Sequence, residues 1–170
     1  MLIELNIRNI ALIESLCIEF TRGLNVLTGE TGAGKSIVVD CVNLALGGRA
    51  DRDLIRTGEE RGGVRALFDV SGNPAAEAYL AELGVETQDG LAEVSREITR
   101  SGKNVCRVNG AMLLLSQIKT FTGMLVDVHG QHEHQALMDP ARHIEFLDSF
   151  GGERIRPAKE RVQAAYADYA

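Results

Sequence analysis

The sequence predicts an α/β fold in which an antiparallel β layer lies beside a parallel αβ core. Three observations lead to this prediction. A short apolar segment, a glycine-rich turn and an apolar-rich helix follow one another between residues 24 and 46. Segments on both sides of that unit alternate apolar and polar residues, which is the period of half-buried strands. A second apolar run, residues 124–128, indicates a strand buried on both faces, as in parallel sheets.

The first elements in the chain are predicted strands. Leu2–Ile10 begins with alternating apolar and polar residues, and Leu16–Phe20 follows as a second strand after a short connection. A turn at residues 21–23 leads to Leu24–Thr28, whose apolar character predicts a buried strand. Two antiparallel strands ahead of this point favour a β layer laid beside the core over the fold of a simple nucleotide kinase.

The residues after this strand fit G-x-x-x-x-G-K-[ST] at every fixed position. They are Gly29, Glu30, Thr31, Gly32, Ala33, Gly34, Lys35 and Ser36. Glycines let successive backbone N–H groups point at phosphate oxygens, and the next helix adds the positive end of its dipole. Lys35 is expected to reach the β- and γ-phosphates, and the Ser36 hydroxyl to ligate Mg²⁺. The motif predicts a nucleotide site; the alternative is a glycine-rich turn with a surface lysine.

The middle of the chain is predicted to extend the β layer. Helix Ile37–Leu46 should end at Gly47-Gly48. The connection from Gly47 to Gly63 contains four arginines, which are either solvated or in contact with DNA. Those arginines are Arg49, Arg52, Arg56 and Arg61. The further predicted elements are strand Val64–Val70, helix 74–83, a hairpin of Leu91–Ile98 and Asn104–Val108, a turn at Asn109-Gly110 leading into residues 111–113, and helix Leu115–Phe121.

The apolar strand Met124–Val128 leads into the polar run His129–Gln135. Ligands bind at the carboxyl ends of parallel strands, so three interpretations of this run compete. Its three histidines could bind a metal, the run could be a solvated loop, or Gln131 could reach Mg²⁺ or the attacking water beside a γ-phosphate. We favour the third, because a neutral amide can accept from water and touch a metal without adding charge. Asp127 is interpreted as a structural acid rather than a Walker B ligand.

The C-terminal part is predicted to be helical. Asp139-Pro140 opens a helix to about Phe150, and Gly151-Gly152 break it. From Pro157 the chain is Ala-rich and charged, which predicts a helix that continues to Ala170. Its polar composition suits the root of a coiled coil.

Composition narrows the function classes. The net charge of −6 over 170 residues argues against a strongly basic nucleic-acid-binding surface, although a local basic patch stays open. No apolar run reaches the length of about 18 residues that a membrane span needs, so no membrane partner is expected. Three cysteines without a C-x-x-C pair predict reduced thiols in a cytosol.

Three stretches in combination carry a family resemblance. They are Met1–Glu14, Gly29–Ser36 and Val126–Gln135. Together they resemble the N-terminal part of the RecN family, bacterial double-strand-break repair proteins of the SMC-like, ABC-type ATPases, over essentially the whole chain. The resemblance implies a P-loop NTPase of ABC/SMC head type, with residues 1–152 as the N-terminal lobe of the head. Residues 153–170 would then begin a helix leading to a coiled coil.

The resemblance also implies site residues and partners. Gly29–Ser36 with Ile37 would hold ATP, Ser36 and Gln131 would hold Mg²⁺, and Arg8 and Asn9 would lie near the nucleotide. Lys35 and Gln131 are the catalytic candidates. The implied partners are a C-terminal lobe of the same protein, a second copy in an ATP-sandwiched homodimer, and double-stranded DNA with its ends. The signature motif, Walker B strand and catalytic glutamate belong to the C-terminal lobe, so this chain alone is expected not to turn ATP over.

Other function classes stay open from the residues. A P-loop kinase or GTPase shares the phosphate motif, but the chain has no Asn-Lys-x-Asp for guanine. An architectural DNA-bridging module would use ATP only to lock two heads together. A metal hydrolase would rest on the three histidines of residues 129–134.

Overall fold

A computed structural model of the chain describes residues 1–29, 34–128 and 140–169. The chain divides into two compact units, Met1–Asp127 and Val128–Ala170, and each is described by itself. The predicted boundary between residues 152 and 153 stays a prediction.

The first unit is built on a six-stranded sheet in which neighbouring strands pair antiparallel, in the order β2-β1-β3-β4-β5-β6. The strands are β1 (Leu2–Ile10), β2 (Ile13–Glu19), β3 (Arg61–Asp69), β4 (Leu91–Thr99), β5 (Asn104–Val108) and β6 (Ala111–Met112). The predicted β layer and both of its predicted hairpin turns are therefore confirmed. Asn109 and Gly110 both have positive φ, 47° and 83°, as the two-residue turn between β5 and β6 requires.

One face of the sheet is buried and the other is polar. Because side chains alternate along a strand, the inward positions carry the apolar residues predicted by the sequence pattern. The buried strand side chains include Leu5, Ile7, Val64, Ala66, Phe68, Val94 and Val108. Asn6, Arg65, Ser95 and Arg107 pair across β1, β3, β4 and β5 on the opposite face. The core therefore lies on one side of the sheet only.

Three helices complete the first unit: α1 (Lys35–Ala45), α2 (Pro74–Glu82) and α3 (Leu115–Gly123). A short 3-10 turn spans Arg52–Leu54. The helix α1 contacts β1, β3 and β4 and buries Val38, Cys41 and Leu44. Its predicted glycine stop is confirmed, since Gly47 has φ +89°. The predicted helix start at α2 is also confirmed, because the Asn73 side chain accepts from the Ala76 N–H at 3.1 Å.

The strand predicted at Leu24–Thr28 is wrong: this segment is irregular and pairs with no strand of the described sheet. Leu24 is 89% exposed and Val26 is 67% exposed. Asn25 forms a local turn instead, accepting from the Thr21 N–H at 3.1 Å and donating to the Thr21 carbonyl at 2.8 Å. Such side-chain bonds compete with a strand ladder, and the apolar pattern alone could not reveal them.

The strand predicted at Met124–Val128 is also wrong. The N–H groups of Met124, Leu125 and Val126 donate to the backbone carbonyls of Phe121 and Thr122 at 3.0–3.1 Å. These bonds continue the last turn of α3. Because these donors are used within the turn, they are not available for a ladder. With both segments outside the sheet, the predicted parallel core does not form among residues 1–29, 34–128 and 140–169.

In the described part of the second unit, α4 (Pro140–Gly151) and α5 (Arg156–Tyr169) are joined by a 3-10 turn at Gly152–Arg154. The predicted break at the glycine pair is confirmed, and Gly152 has φ +50°. Lys159 Nζ lies 2.9 Å from Asp148 Oδ2 and links the two helices. Among the described residues, no helix combines the length and apolar character that crossing a membrane requires.

Candidate phosphate-binding site

The described part of the glycine-rich loop consists of Gly29, Gly34 and the residues that begin α1. Gly34 is the N-cap of α1 and has φ 95° and ψ −1°, a left-handed conformation that favours glycine. A Cβ built at Gly34 would meet no atom of the described residues within 4 Å. The other predicted loop residues, Glu30, Thr31, Gly32 and Ala33, lie outside the described residues.

The N-terminus of α1 is suited to an anion. The first intrahelical bond is donated by the Val38 N–H to the Gly34 carbonyl at 3.0 Å, so the N–H groups of Lys35, Ser36 and Ile37 precede the helical ladder. In the described part of the chain no side chain caps this end, and the first turn carries no acidic residue. Free N–H groups and the positive end of the dipole fit phosphate oxygens.

Lys35 and Ser36 lie at this helix start as the motif requires. Lys35 Nζ donates to the Gly29 carbonyl, which brings the ammonium across the mouth of the loop. Ser36 is exposed, so its hydroxyl is accessible to a hydrated cation. The donors at this end of α1 therefore fit a nucleotide phosphate with Mg²⁺: backbone N–H groups and an ammonium for the phosphates, and a hydroxyl for the metal.

Arg8 and Asn9, predicted to lie near the nucleotide, are at the end of β1. Asn9 has a positive φ of 52°, and its side chain donates to Glu59 Oε2 at 3.0 Å. The Asn9 carbonyl accepts from the Arg56 N–H at 3.0 Å, and the Arg56 guanidinium donates to the Leu12 carbonyl at 2.7 Å. The turn between β1 and β2 is therefore fastened to the arginine-rich connection, and its contact with nucleotide stays a prediction.

The arginine-rich connection is partly structural. Arg100 of the β4–β5 hairpin donates to the carbonyls of Ile55, Arg56 and Glu59 at 2.7–3.3 Å. Arg61 lies 3.9 Å from Glu97 in an exposed ion pair. Together with the Arg56 contact, these bonds support the surface-connection interpretation for Arg56 and Arg61. Arg49 and Arg52 are exposed, and DNA contact there is untested.

Two residues of other elements contact the C-terminal end of α1, and the sequence did not identify them. Arg96 of β4 is only 2% exposed, and its Nη1 donates to the carbonyls of Leu44 at 2.8 Å and Gly48 at 2.6 Å. Thr122 of α3 donates its hydroxyl to the Leu46 carbonyl at 2.9 Å. Burial lowers the pKa of Arg96. The signal was present in the sequence, because Arg96 occupies an inward position in the alternation of β4.

The second predicted site, His129–Gln135 with Gln131, lies outside the described residues, so the sensing loop and the histidine metal site are both untested. Among the residues that are described, no group of three His, Cys, Asp or Glu side chains could hold a metal ion. Cys17, Cys41 and Cys106 are free thiols, as predicted from their number and spacing. Burial raises the pKa of Cys41 to about 12, which makes it an unreactive core side chain.

The comparison with protein families decides the class of the chain. Residues 4–165 match the model described as AAA domain. The chain belongs to this AAA domain family. The match covers α1, the glycine-rich loop and the sheet apart from the first two residues of β1.

Relatives of this AAA domain protein include DNA repair protein RecN of Bacillus subtilis, which is 42% identical in an alignment of 170 positions that covers 99% of this chain and 29% of the relative. The chain thus spans about 30% of the length of the curated relatives it matches. The resemblance to the RecN family is confirmed.

Solved structures support the SMC-head type of fold. An SMC head domain with an extended coiled coil from Pyrococcus furiosus, bound to the C-terminal domain of ScpA, matches with a TM-score of 0.66 and 18% identity, over 98% of this chain and 47% of that chain. A structure from work on ATP-driven dimerization and DNA-stimulated activation of SMC ATPases matches with a TM-score of 0.60 and 19% identity, over 88% of this chain and 98% of that one. The predicted fold class, an ABC/SMC-type head, is therefore confirmed.

Proposed function

We propose that the chain is the ATP-binding half of an SMC-like ATPase that acts in recombinational repair of DNA double-strand breaks. The observation that carries the proposal is the open N-terminus of α1, where Gly34 and Lys35 leave backbone N–H groups and an ammonium for phosphate oxygens. The 42% identity to a RecN protein supports repair as the process. ATP-driven head dimerisation would couple the nucleotide to DNA binding and bridging.

Each residue of the site has a proposed role. The segment from Gly29 to Ile37 holds the triphosphate, with Lys35 on the β- and γ-phosphates. Ser36 and Gln131 would hold Mg²⁺, which would neutralise charge on the phosphates. Gln131 additionally orients the attacking water. Arg8 and Asn9 lie beside the nucleotide in this proposal.

A C-terminal lobe of the same protein is the proposed partner of the first unit. Leu24 and Val26 are largely exposed although their sequence suits a buried strand. Residues 24–28 and 124–128 would acquire strand partners in that lobe, which would also complete the parallel core. The same lobe would supply the signature motif and the base for water, so we expect this chain alone to bind ATP weakly and not to turn it over.

The helix α5 supports a coiled coil beyond the head. Val162 and Tyr169 are 69% and 89% exposed and stand seven residues apart. With Ala158 and Ala165 of α5, and with Ile155 just before it, they form an a/d pattern that a second helix could cover. The proposal also includes a homodimer that is joined through ATP at the heads. This dimer would act on double-stranded DNA at the nucleoid, in the bacterial cytoplasm.

The proposal is tested by calorimetric titration of the 170-residue chain with Mg·ATP. Lys35→Ala should abolish detectable binding, because it removes the cation at the loop mouth. Lys103→Ala is the matched control, since it removes an exposed lysine in the turn between β4 and β5 rather than one at the start of α1. Equal affinity of the wild type and Lys35→Ala would refute the assignment. DNA-stimulated ATP turnover by the full-length protein would distinguish a switch from an architectural module.

A further inference from the structure

The guanidinium of Arg96 is buried, and the part of the chain that the structure describes gives it no acidic counter-charge. Among the described residues, no carboxylate lies within 4.0 Å of it as an ion-pair partner. Its Nη1 donates to two carbonyls at the end of α1, its Nε donates to Asn104 Oδ1 at 3.0 Å, and its Nη2 has no hydrogen-bond partner. Because a buried cation is costly unless it is compensated, the negative end of the α1 dipole is its principal electrostatic partner.

The same end of α1 is held a second time from another element. Thr122 of α3 is 1% exposed, and its hydroxyl oxygen lies 2.9 Å from both the Leu46 and the Ile118 carbonyls, which share its single donated proton. Gly48 is packed so closely that a Cβ there would lie 2.7 Å from the Asn43 carbonyl. We call Arg96 and Thr122 the helix clamp. It fixes the helix end from β4 and from α3, which restricts sliding and rotation of α1.

We propose that the helix clamp is a positioning device for nucleotide binding, acting through α1 on the N–H groups that face the phosphates. The inference rests on the proposed function, because α1 presents its opposite end to the ligand. The helix has 11 residues, so its ends are separated by about 16 Å at about 1.5 Å per residue. A helix of this length transmits a displacement of its fixed end to the phosphate-facing N–H groups with little loss, and those contacts are sensitive to errors of about 1 Å.

The test compares variants of the 170-residue chain by Mg·ATP titration and by ¹⁵N amide spectra, with affinities corrected for the folded fraction. Arg96→Met removes the cation and its donors, and we expect about a tenfold loss of affinity, a magnitude typical of supporting residues around a ligand site. Thr122→Val keeps the side-chain shape and should lose about threefold. Arg96→Lys retains a buried donor cation and should bind ATP within about threefold of the wild type.

A nucleotide-free readout separates positioning from general stability. Arg96→Met should shift the amide resonances of Gly34 to Val38, at the far end of α1, and Arg96→Lys should restore them. Asn109→Ala is the control: it breaks bonds to Glu86 and Glu93 near the β5–β6 turn, and it should leave both the resonances and the affinity unchanged.

The inference is overturned if Arg96→Met remains folded with wild-type affinity and unshifted amides at the start of α1. If Arg96→Met does not fold, Thr122→Val decides: wild-type affinity and spectra refute the clamp, and a reduced affinity with shifted amides supports it. If the wild type itself binds no Mg·ATP, the proposed function fails, and the amide shifts in the absence of nucleotide still decide whether the clamp positions α1.

Discussion

Gly34 offers a substitution in which backbone conformation can be separated from steric contact. The residue has φ +95°, and a Cβ there would meet no atom within 4 Å. Gly34→Ala therefore adds no clash, and its cost is the left-handed backbone alone, about 1–2 kcal/mol. For a domain of this size we expect the melting temperature to fall by about 2–8 °C.

The effect on phosphate binding should be larger than the effect on stability. An alanine can relieve the strain by moving φ to negative values, and that rotation redirects the peptide groups that enter α1. Since the N–H groups at this end must converge on the phosphates, we expect the affinity for Mg·ATP to fall at least about tenfold, equivalent to about 1.4 kcal/mol.

Gly102→Ala is the matched control for this prediction. Gly102 has φ +89°, also meets nothing within 4 Å, and lies in the turn between β4 and β5 rather than at the start of α1. Thermal unfolding should show similar losses of stability for the two variants, and calorimetry should show weakened ATP binding only for Gly34→Ala. If the two variants bind ATP equally well, the argument that the Gly34 backbone shapes the cradle is refuted.

Three further predictions concern other parts of the chain. Gln131→Ala in the full-length protein should bind ATP normally but hydrolyse it more slowly, and unchanged turnover would contradict the proposed role. Asn73→Ala should destabilise the chain by about 1 kcal/mol in urea, because the cap of α2 is lost; a change below about 0.3 kcal/mol would exclude the cap as a contributor. Burial raises the pKa of the Cys41 thiol from 9.0 to about 12, so stability should be fully present below pH 9 and fall as the pH rises toward 12. Cys41→Ala should remove that part of the slope, and an identical slope would refute the assignment.

The strands and turns of the β layer could be predicted because their signals are local. In β3 and β4 every second side chain is buried, and the sequence shows the same period. Turns such as Asn109-Gly110 are specified by residues that tolerate positive φ. The start of α1 was predictable for the same reason, since Gly34 and the motif around it are adjacent in sequence to the first turn of the helix.

Whether the two wrongly predicted segments form strands depends on their neighbours in space, which a local sequence pattern does not show. Leu24–Thr28 and Met124–Val128 have the composition of buried strands, but a strand forms only where a neighbour supplies hydrogen bonds. In the first segment Asn25 bonds to Thr21, and in the second the N–H groups belong to the last turn of α3. Composition predicted buried strands at these segments, but it did not show which acceptors their backbone N–H groups would bond.

The two ends of α1 differ in a way that connects fold to function. The C-terminal end is held by Arg96 and Thr122, so its carbonyls have protein donors. The N-terminal end has neither a side-chain cap nor an acidic residue in the described part of the chain, whereas α2 has both in Asn73 and Glu77. An unfilled N-terminus costs stability that a capping side chain would restore. Because a bound phosphate would provide the missing charge and acceptors, the asymmetry is best explained by a ligand that takes the place of the cap.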